Sequence, residues 1–532
     1  VLPRSAEFRS AVDRVELRPA PGPPEAFEAL RAGAEPWLLE SALRSQRLGS
    51  HSFAGADPWL VLRAWGERLE IECRRAVRPD LPVGRQLWRG DPLEAVRTLL
   101  PPPPDDAPEE LPFTGGAVGY FGYELARLFE PSALPAAGGG AVPDLVLLFV
   151  DRLLAWDHGR EQLVALGLGV AADAAGARER ARAAAREMAA AVAGGAAPAP
   201  ERRAVRPRRD PGAGPDRERF ERGAQAILRE ISAGNVYQAC LTQRLELEYR
   251  GDPWELYREL RRASPAPFAC YLELPELAVV GSSPERFLRV FPDGRVESRP
   301  IKGTRPRGRD ADADERLRCE LAASQKERAE NLMIVDLVRN DLGRVCATGS
   351  VEVPELFAIE AYASLFQMVS TVAGRLAPGR DALDLVRASF PPGSMTGAPK
   401  IAAMRLLERL EPVRRGVYSG AIGWLDARGG ADLSVVIRTV LVRDGRAFVH
   451  AGAGIVADSD PHAEWRESLD KARALLAALA ACGAPEAAAL LERSGMLGPR
   501  LRRSSGEEAT WDRSRESGSS RSRASDPAPS AG

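Results

Sequence analysis

A chain of 532 residues, 45% hydrophobic and 28% charged, is long enough for two or three globular domains and too apolar to be disordered throughout. Its formal net charge of −1 offers no bulk attraction to nucleic acid or to an anionic membrane. Residues 1–15 hold no apolar stretch of a secretory signal, and the longest clean apolar run, 474–482, is too short to span a bilayer. The expectation is a soluble, cytoplasmic protein.

Taken in order, residues 1–35 are rich in Pro and Arg and are expected to pack loosely, with ordered structure beginning at 36–41. Residues 48–55 read as strand and turn, and the proline- and acid-dense 101–110 as a loop. The glycine-punctuated 114–124 matches neither a phosphate loop nor a dinucleotide fingerprint, so close packing of small residues is its expected role. Residues 145–156 and 162–168 alternate like paired strands, and 171–192 is an Ala/Arg-rich helix. Residues 194–214 read as a linker. Phe220, Ala224, Ile227 and Ile231 then mark an amphipathic helix that stops at Ala233-Gly234, followed by a strand over 236–249. Helices and strands alternate from there to about 481, and 504–532 is expected to be disordered. The division is an N-terminal region 1–193, a linker 194–214, a catalytic domain 215–486 and a tail 487–532.

The six cysteines (73, 240, 270, 319, 346 and 482) are scattered without a CxxC, and the four histidines form no ligand pattern. This argues against a disulfide framework or a zinc site, and leaves carboxylates as the ligands of any metal. Of 73 basic residues only four are lysine: Lys302, Lys326, Lys400 and Lys471. A lysine that persists where arginine is otherwise used is a candidate for work that needs a deprotonated amine. Lys302, in Pro300-Ile-Lys-Gly-Thr304 after a strand at 295–298, reads as a loop nucleophile or as a plain surface lysine.

Four constellations surround it. Glu327 and Glu330 share one face of a helix over 324–344, and Glu464 and Glu467 repeat that spacing in a helix over 461–481. The pairs suit Mg²⁺, or are ordinary helix surface. Glu285, behind Pro284 at the start of a strand, is a general acid or a salt-bridge partner. The loop 390–400 turns its N–H groups to an anion or is a structural turn. The strand series 416–456 carries Tyr418, Arg438 and Gly452-Ala453-Gly454, a means of holding carboxylates or a plain sheet with a salt-bridged arginine. Together they suggest a small dianion bridged to Mg²⁺.

In sequence order, Ser-Ser-Pro-Glu-Arg (282–286), Pro-Ile-Lys-Gly-Thr, the two Glu-x-x-Glu pairs, Val-Asp-Leu-Val-Arg-Asn-Asp (335–341), Gly-Ser-Met-Thr-Gly-Ala-Pro-Lys (393–400) and Gly-Ala-Gly resemble the chorismate-utilising enzymes. The likeness is strongest over 216–481; 38–41 and 116–123 resemble the anthranilate and aminodeoxychorismate branches. The resemblance implies an α/β (α+β) fold, a large sandwich of antiparallel sheets with flanking helices like anthranilate synthase component I. Lysine at 302, where anthranilate synthases typically have alanine, points to the aminodeoxychorismate branch. It implies that Lys302 attacks C2 of chorismate while Glu285 protonates the departing C4 hydroxyl, with ammonia then adding at C4. Nearby Mg²⁺ and arginine charges are expected to depress the Lys302 pKa.

The resemblance further implies metal ligands at Glu327, Glu330, Glu464 and Glu467, with Glu330 and Glu467 the direct pair. Substrate contacts are implied at Gly303, Thr304, Tyr418, Arg438, Gly452, Ala453 and Gly454. A tryptophan pocket partly matches at Ser41, Pro267 and Phe268. Gln367 stands where many relatives have a histidine linked to pyruvate elimination, which weakens the anthranilate reading. No cysteine lies in a Gly-x-Cys-x-Gly turn, so ammonia is expected from a separate glutamine amidotransferase subunit.

Overall fold

Two antiparallel sheets lie face to face, with helices on both outer faces. The computed structural model describes residues 8–43, 48–134, 140–195, 216–362 and 365–494. Among these, one sheet has 11 strands and the other 12. Each sheet takes strands from both ends of the chain. Phe268–Glu273 pairs with Trp37–Glu40 in the first, Tyr271 opposite Leu38; Ala421–Asp426 pairs with Gly116–Phe121 in the second, Gly423 opposite Gly119. The N-terminal region and the region after 215 therefore share both sheets and one core.

Trp37, Phe53, Val118, Tyr120 and Ile422 fill the space between the sheets. Burying side chains of this size contributes about 1.5–3 kcal/mol each. The helices Arg217–Ser232, Pro253–Ala263 and Pro461–Ala481 cover the outer face of the first sheet. Pro92–Leu99, Gln325–Gly343 and Ala382–Ser389 cover the second. The glycine-punctuated stretch is the wholly buried strand Gly116–Phe121. A Cβ on Gly119 would stand 2.0 Å from the Val146 carbonyl oxygen, so small-residue packing is what these glycines provide.

Residues 1–35 do not pack loosely where they are described. Strand Arg9–Glu16 pairs along all 8 of its residues with Gln162–Ala171. Helix Pro23–Leu30 buries Phe27 against Trp254, ring centroids 4.6 Å apart. Proline misled here because it opens the helix, at a position where no N–H is needed. The alternation over 145–156 is two strands rather than one, Leu145–Val150 in the 12-stranded sheet and Arg152–Asp157 in the other. The second pairs with Gln162–Ala171 as expected. The expected linker, apart from Gly194 and Gly195, and the tail beyond 494 lie outside the described residues. The start of the expected disordered tail at 487 is corrected: 487–493 belong to helix Pro485–Arg493, which buries Ala487, Leu490 and Leu491. No described helix is long and apolar enough to cross a membrane.

Candidate active site

Lys302 lies on an edge strand, Ile301–Pro306, rather than in a free loop. Its neighbour is Leu365–Arg375: Ile301 stands opposite Val369 and Thr304 opposite Gln367, and the register slips between them. Such a bulge re-aims the residues it contains. Gly303 takes φ +82°, and a Cβ there would come within 2.8 Å of Leu321 and 3.0 Å of the Glu327 carboxylate. Glycine thus lets the strand turn the lysine inward and press against the first acidic helix.

That helix, Gln325–Gly343, is capped by the Ser324 hydroxyl, which accepts from the Glu327 N–H. Ile334, Val335, Val338 and Leu342 bury its apolar face. Pro461–Ala481 is capped by Asp460 and buries Trp465, Leu469, Ala472 and Leu476. Each helix presents its glutamate pair beside the packed face. All four carboxylates meet Lys302 in one cleft of about 560 Å³, which also takes in Glu285, Gly303, Thr304, Gln367, Tyr418, Arg438, Gly452 and Gly454. Ala453 is the exception among the expected contacts. Strand alternation turns its methyl into the helix-side core, leaving only its backbone for a ligand.

The strands carrying these groups belong to two sheets. Ala421–Asp426 and Ala431–Val435 lie in the 12-stranded sheet, Thr439–Arg443 and Arg446–Ile455 in the other. Arg438 sits at the crossing with φ 52°. It is not salt-bridged: among the described residues no acid pairs with it. Burial lowers its pKa. A guanidinium held this way is ready for an anion.

The Lys302 amine donates to Glu330 Oε2 at 3.3 Å. Burial alone would release its proton, but Glu330, Cys240 and Glu285 outweigh burial and its pKa is raised. The expected depression by arginine charge is not found, because carboxylate rather than guanidinium adjoins the amine. Burial pushes Glu285 up to about 7, against the opposing pull of the Ser394 hydroxyl and the Lys302 charge. The shift runs in the direction expected of Glu285. Glu327 is raised by burial and by Glu330; Glu464 is raised by burial and by the neighbouring glutamates, with Ser459 opposing. Glu467 is lowered, its burial outweighed by Lys471, Lys302 and Lys326.

Crowded carboxylates that raise one another's pKa are a cation-seeking arrangement, and an all-oxygen donor set suits Mg²⁺. Among the described residues no three acidic, His or Cys side chains close around one point. Mg²⁺ commonly takes one or two carboxylates and keeps its waters, so the residues fit it.

Among the residues of the cleft to which sequence reasoning gave no role are Lys471, Lys326 and His450. Lys471 donates to the Gly452 carbonyl at 3.0 Å and pairs with Glu467 at 2.7 Å, tying the second acidic helix to the glycine strand. Lys326 pairs with Glu330 and Glu464. His450 stacks on Tyr418, ring centroids 4.8 Å apart. The scarcity of lysine signalled the first two; nothing in the spacing signalled the histidine. Lys400, in the loop thought to face an anion, is buried against Asp341 at 2.7 Å.

Ser41, Pro267 and Phe268 come together elsewhere, in a cavity of about 650 Å³ between the sheets. The Ser41 hydroxyl donates to the His51 carbonyl at 2.7 Å, and the Arg286 guanidinium lies over the Phe268 ring.

Residues 50–477 match the family of chorismate binding enzymes. The aminodeoxychorismate synthase of Streptomyces pristinaespiralis is 42% identical over 485 residues, 89% of this chain and 65% of that protein. The chain thus spans under two thirds of that relative's length. Anthranilate synthase component 1 of Streptomyces coelicolor is 43% identical over 75% of this chain and 79% of its own. The solved anthranilate synthase component I of Streptococcus pneumoniae superposes with a TM-score of 0.66 at 31% identity, over 81% of this chain and 93% of that one. Sandwich, cleft and likeness agree: the chain belongs to the chorismate binding enzyme family.

Proposed function

We propose that the protein aminates chorismate at C4 to give 4-amino-4-deoxychorismate, a step toward p-aminobenzoate and folate. Ammonia would come from a glutamine amidotransferase subunit. The observation that carries this reading is the Lys302 amine, in a chain that supplies positive charge mostly as arginine, in one cleft with the buried Glu285 carboxyl and a guanidinium, Arg438, that no acid pairs with among the described residues. The likeness to an aminodeoxychorismate synthase supports it. That the Streptomyces coelicolor relative is a component 1 supports a second subunit by analogy.

In this reading Arg438 and the backbone at Gly452–Gly454 grip the substrate carboxylates, with Thr304 and Tyr418 alongside. With its proton given up to water, the Lys302 amine bonds to C2. Glu285 gives its proton to the C4 hydroxyl, which departs as water. Ammonia bonds to C4 and the C2–N bond to Lys302 breaks, so chorismate and ammonia become aminodeoxychorismate and water. Glu327, Glu330, Glu464 and Glu467 would hold Mg²⁺, which supplies positive charge to a substrate carboxylate.

Identity to an anthranilate synthase component favours a second reading, in which the product is anthranilate. Incubation with chorismate, MgCl₂ and ammonium chloride separates them. Aminodeoxychorismate is expected; anthranilate fluorescence without an added lyase would establish the second. Chorismate binding with no turnover would leave a non-catalytic chorismate-binding subunit. The same reading gives the inter-sheet cavity to tryptophan, and calorimetric titration with tryptophan checks it, absence of heat removing the assignment.

A further inference from the structure

All four lysines of the chain gather at or beside the cleft. Lys302, Lys326 and Lys471 line it, and Lys400 lies buried against the first acidic helix through Asp341. Lys302 and Lys471 have duties that their contacts explain. Lys326 does not. It occupies the second position of Gln325–Gly343, where the helix dipole disfavours a cation. Its ammonium lies 3.9 Å from Glu330 and 3.8 Å from Glu464. Among the described residues no other ion pair joins the two acidic helices. The side chain is 52% exposed, so packing holds it only in part.

We propose that Lys326 is a tethered competitor for the divalent-cation site. Its ammonium and the cation contend for Glu330 and Glu464, and it swings toward solvent when the cation takes them. The inference rests on the metal reading above. Two acidic pairs on facing helices repel each other, and a cation must sit between them. An ammonium is a compact point charge on a flexible stem, with separate donors for separate carboxylates. A guanidinium in the same place would grip a carboxylate with two parallel bonds and resist displacement. That difference explains why lysine persists here in a chain that supplies positive charge almost everywhere as arginine. The role is positioning and tuning of the cation site, without contact to the reacting atoms.

The test is calorimetric titration of the full chain with MgCl₂, without chorismate, on the wild type, Lys326→Met, Lys326→Arg and Arg328→Met. Arg328 is on the same helix, and its guanidinium lies over Phe357 rather than among the glutamates, so its removal changes net charge equally. Lys326→Met is expected to bind Mg²⁺ about tenfold more tightly than the wild type, and Arg328→Met to stay within about twofold. Lys326→Arg is expected to bind more weakly. Thermal melting in EDTA gives a second readout: Lys326→Met melts below the wild type, and saturating Mg²⁺ closes the gap. Equal tightening in Lys326→Met and Arg328→Met, or none in either, overturns the competition. Wild-type binding that Glu330→Gln abolishes but Lys326→Met leaves unchanged overturns it while the metal reading stands. Absence of Mg²⁺ binding in every variant removes the metal reading and the competition with it.

Discussion

The sandwich encloses two large cavities that treat charge in opposite ways. In the cavity of about 650 Å³, Arg286 and Arg289 share Asp432, Arg286 also meets Glu297, Arg299 meets Glu360, and Glu40 is held by Arg261 and Tyr257. In the cleft of about 560 Å³, Arg438 has no acid among the described residues, four glutamates crowd together, and Glu285 is pushed toward neutrality by burial. Size does not separate the two; the Arg438 guanidinium, which no acid pairs with among the described residues, and the crowding of four glutamates do. A folded chain leaves charge uncompensated where a ligand or a reaction will use it, since elsewhere such charge costs stability without return. Substitutions in the cleft should therefore change rate, and those in the cavity should change stability.

The largest expected effect is that of Lys302→Ala. If the covalent route is correct, aminodeoxychorismate formation falls to the background of the assay while the melting temperature stays put or rises, because Glu330 keeps Lys326 nearby. Unchanged turnover would remove covalent catalysis and break the comparison at its centre. Next is Glu285→Gln, expected to lower kcat by about 10²–10⁴-fold, the usual span for a lost general acid. The pH profile gives the finer check. A proton donor must be protonated, so activity falls as pH rises through about 7, and Glu285→Gln should erase that limb. Burial favours the neutral carboxyl in the fold, so the site also loses stability as pH climbs from the ordinary 4.5 to about 7. A profile still falling near pH 7 in the variant would assign the ionisation elsewhere.

Much of the cleft was legible because its signals are local. Glutamates three apart must share a helix face, and both helices run within a residue or two of the expected bounds. Proline before Glu285 fixed its place at the head of a strand, and burial did the rest. Less legible was everything set by partners distant in sequence. Whether Arg438 is paired depends on which acids the two sheets bring to their crossing. The Lys302 pKa rises rather than falls because a carboxylate 28 residues along the chain adjoins the amine. Strand Arg9–Glu16 is a strand because Gln162–Ala171 offers it an edge, which composition over 1–35 does not reveal.

On the cavity side, Asp432→Ala leaves Arg286 and Arg289 side by side without their shared acid. Breaking a buried pair from one side costs about 3–5 kcal/mol. Denaturant unfolding should report that loss, with KM for chorismate unchanged in the protein that remains folded. A rise in KM at unchanged stability would mean the cavity is coupled to the reaction.

The smallest effect is also the cleanest comparison, because it places one substitution in both cavities. Arg438→Met removes a guanidinium that no acid pairs with among the described residues; Arg289→Met removes one that pairs with Asp432 at 3.1 Å and lies over Trp424, 4.7 Å from the ring centroid. A hydrogen bond to a charged group is worth about 1.5–3 kcal/mol, so Arg438→Met should raise KM for chorismate by roughly 10–150-fold. It should hold or raise the melting temperature, since it deletes a half-buried charge with no paired acid among the described residues. Arg289→Met should do the reverse, lowering the melting temperature and leaving KM alone, because its partner then stays behind with only Arg286. If Arg438→Met instead destabilises the protein and leaves KM untouched, the guanidinium serves the crossing between the sheets. Substrate recognition would then pass to the backbone of Gly452–Gly454.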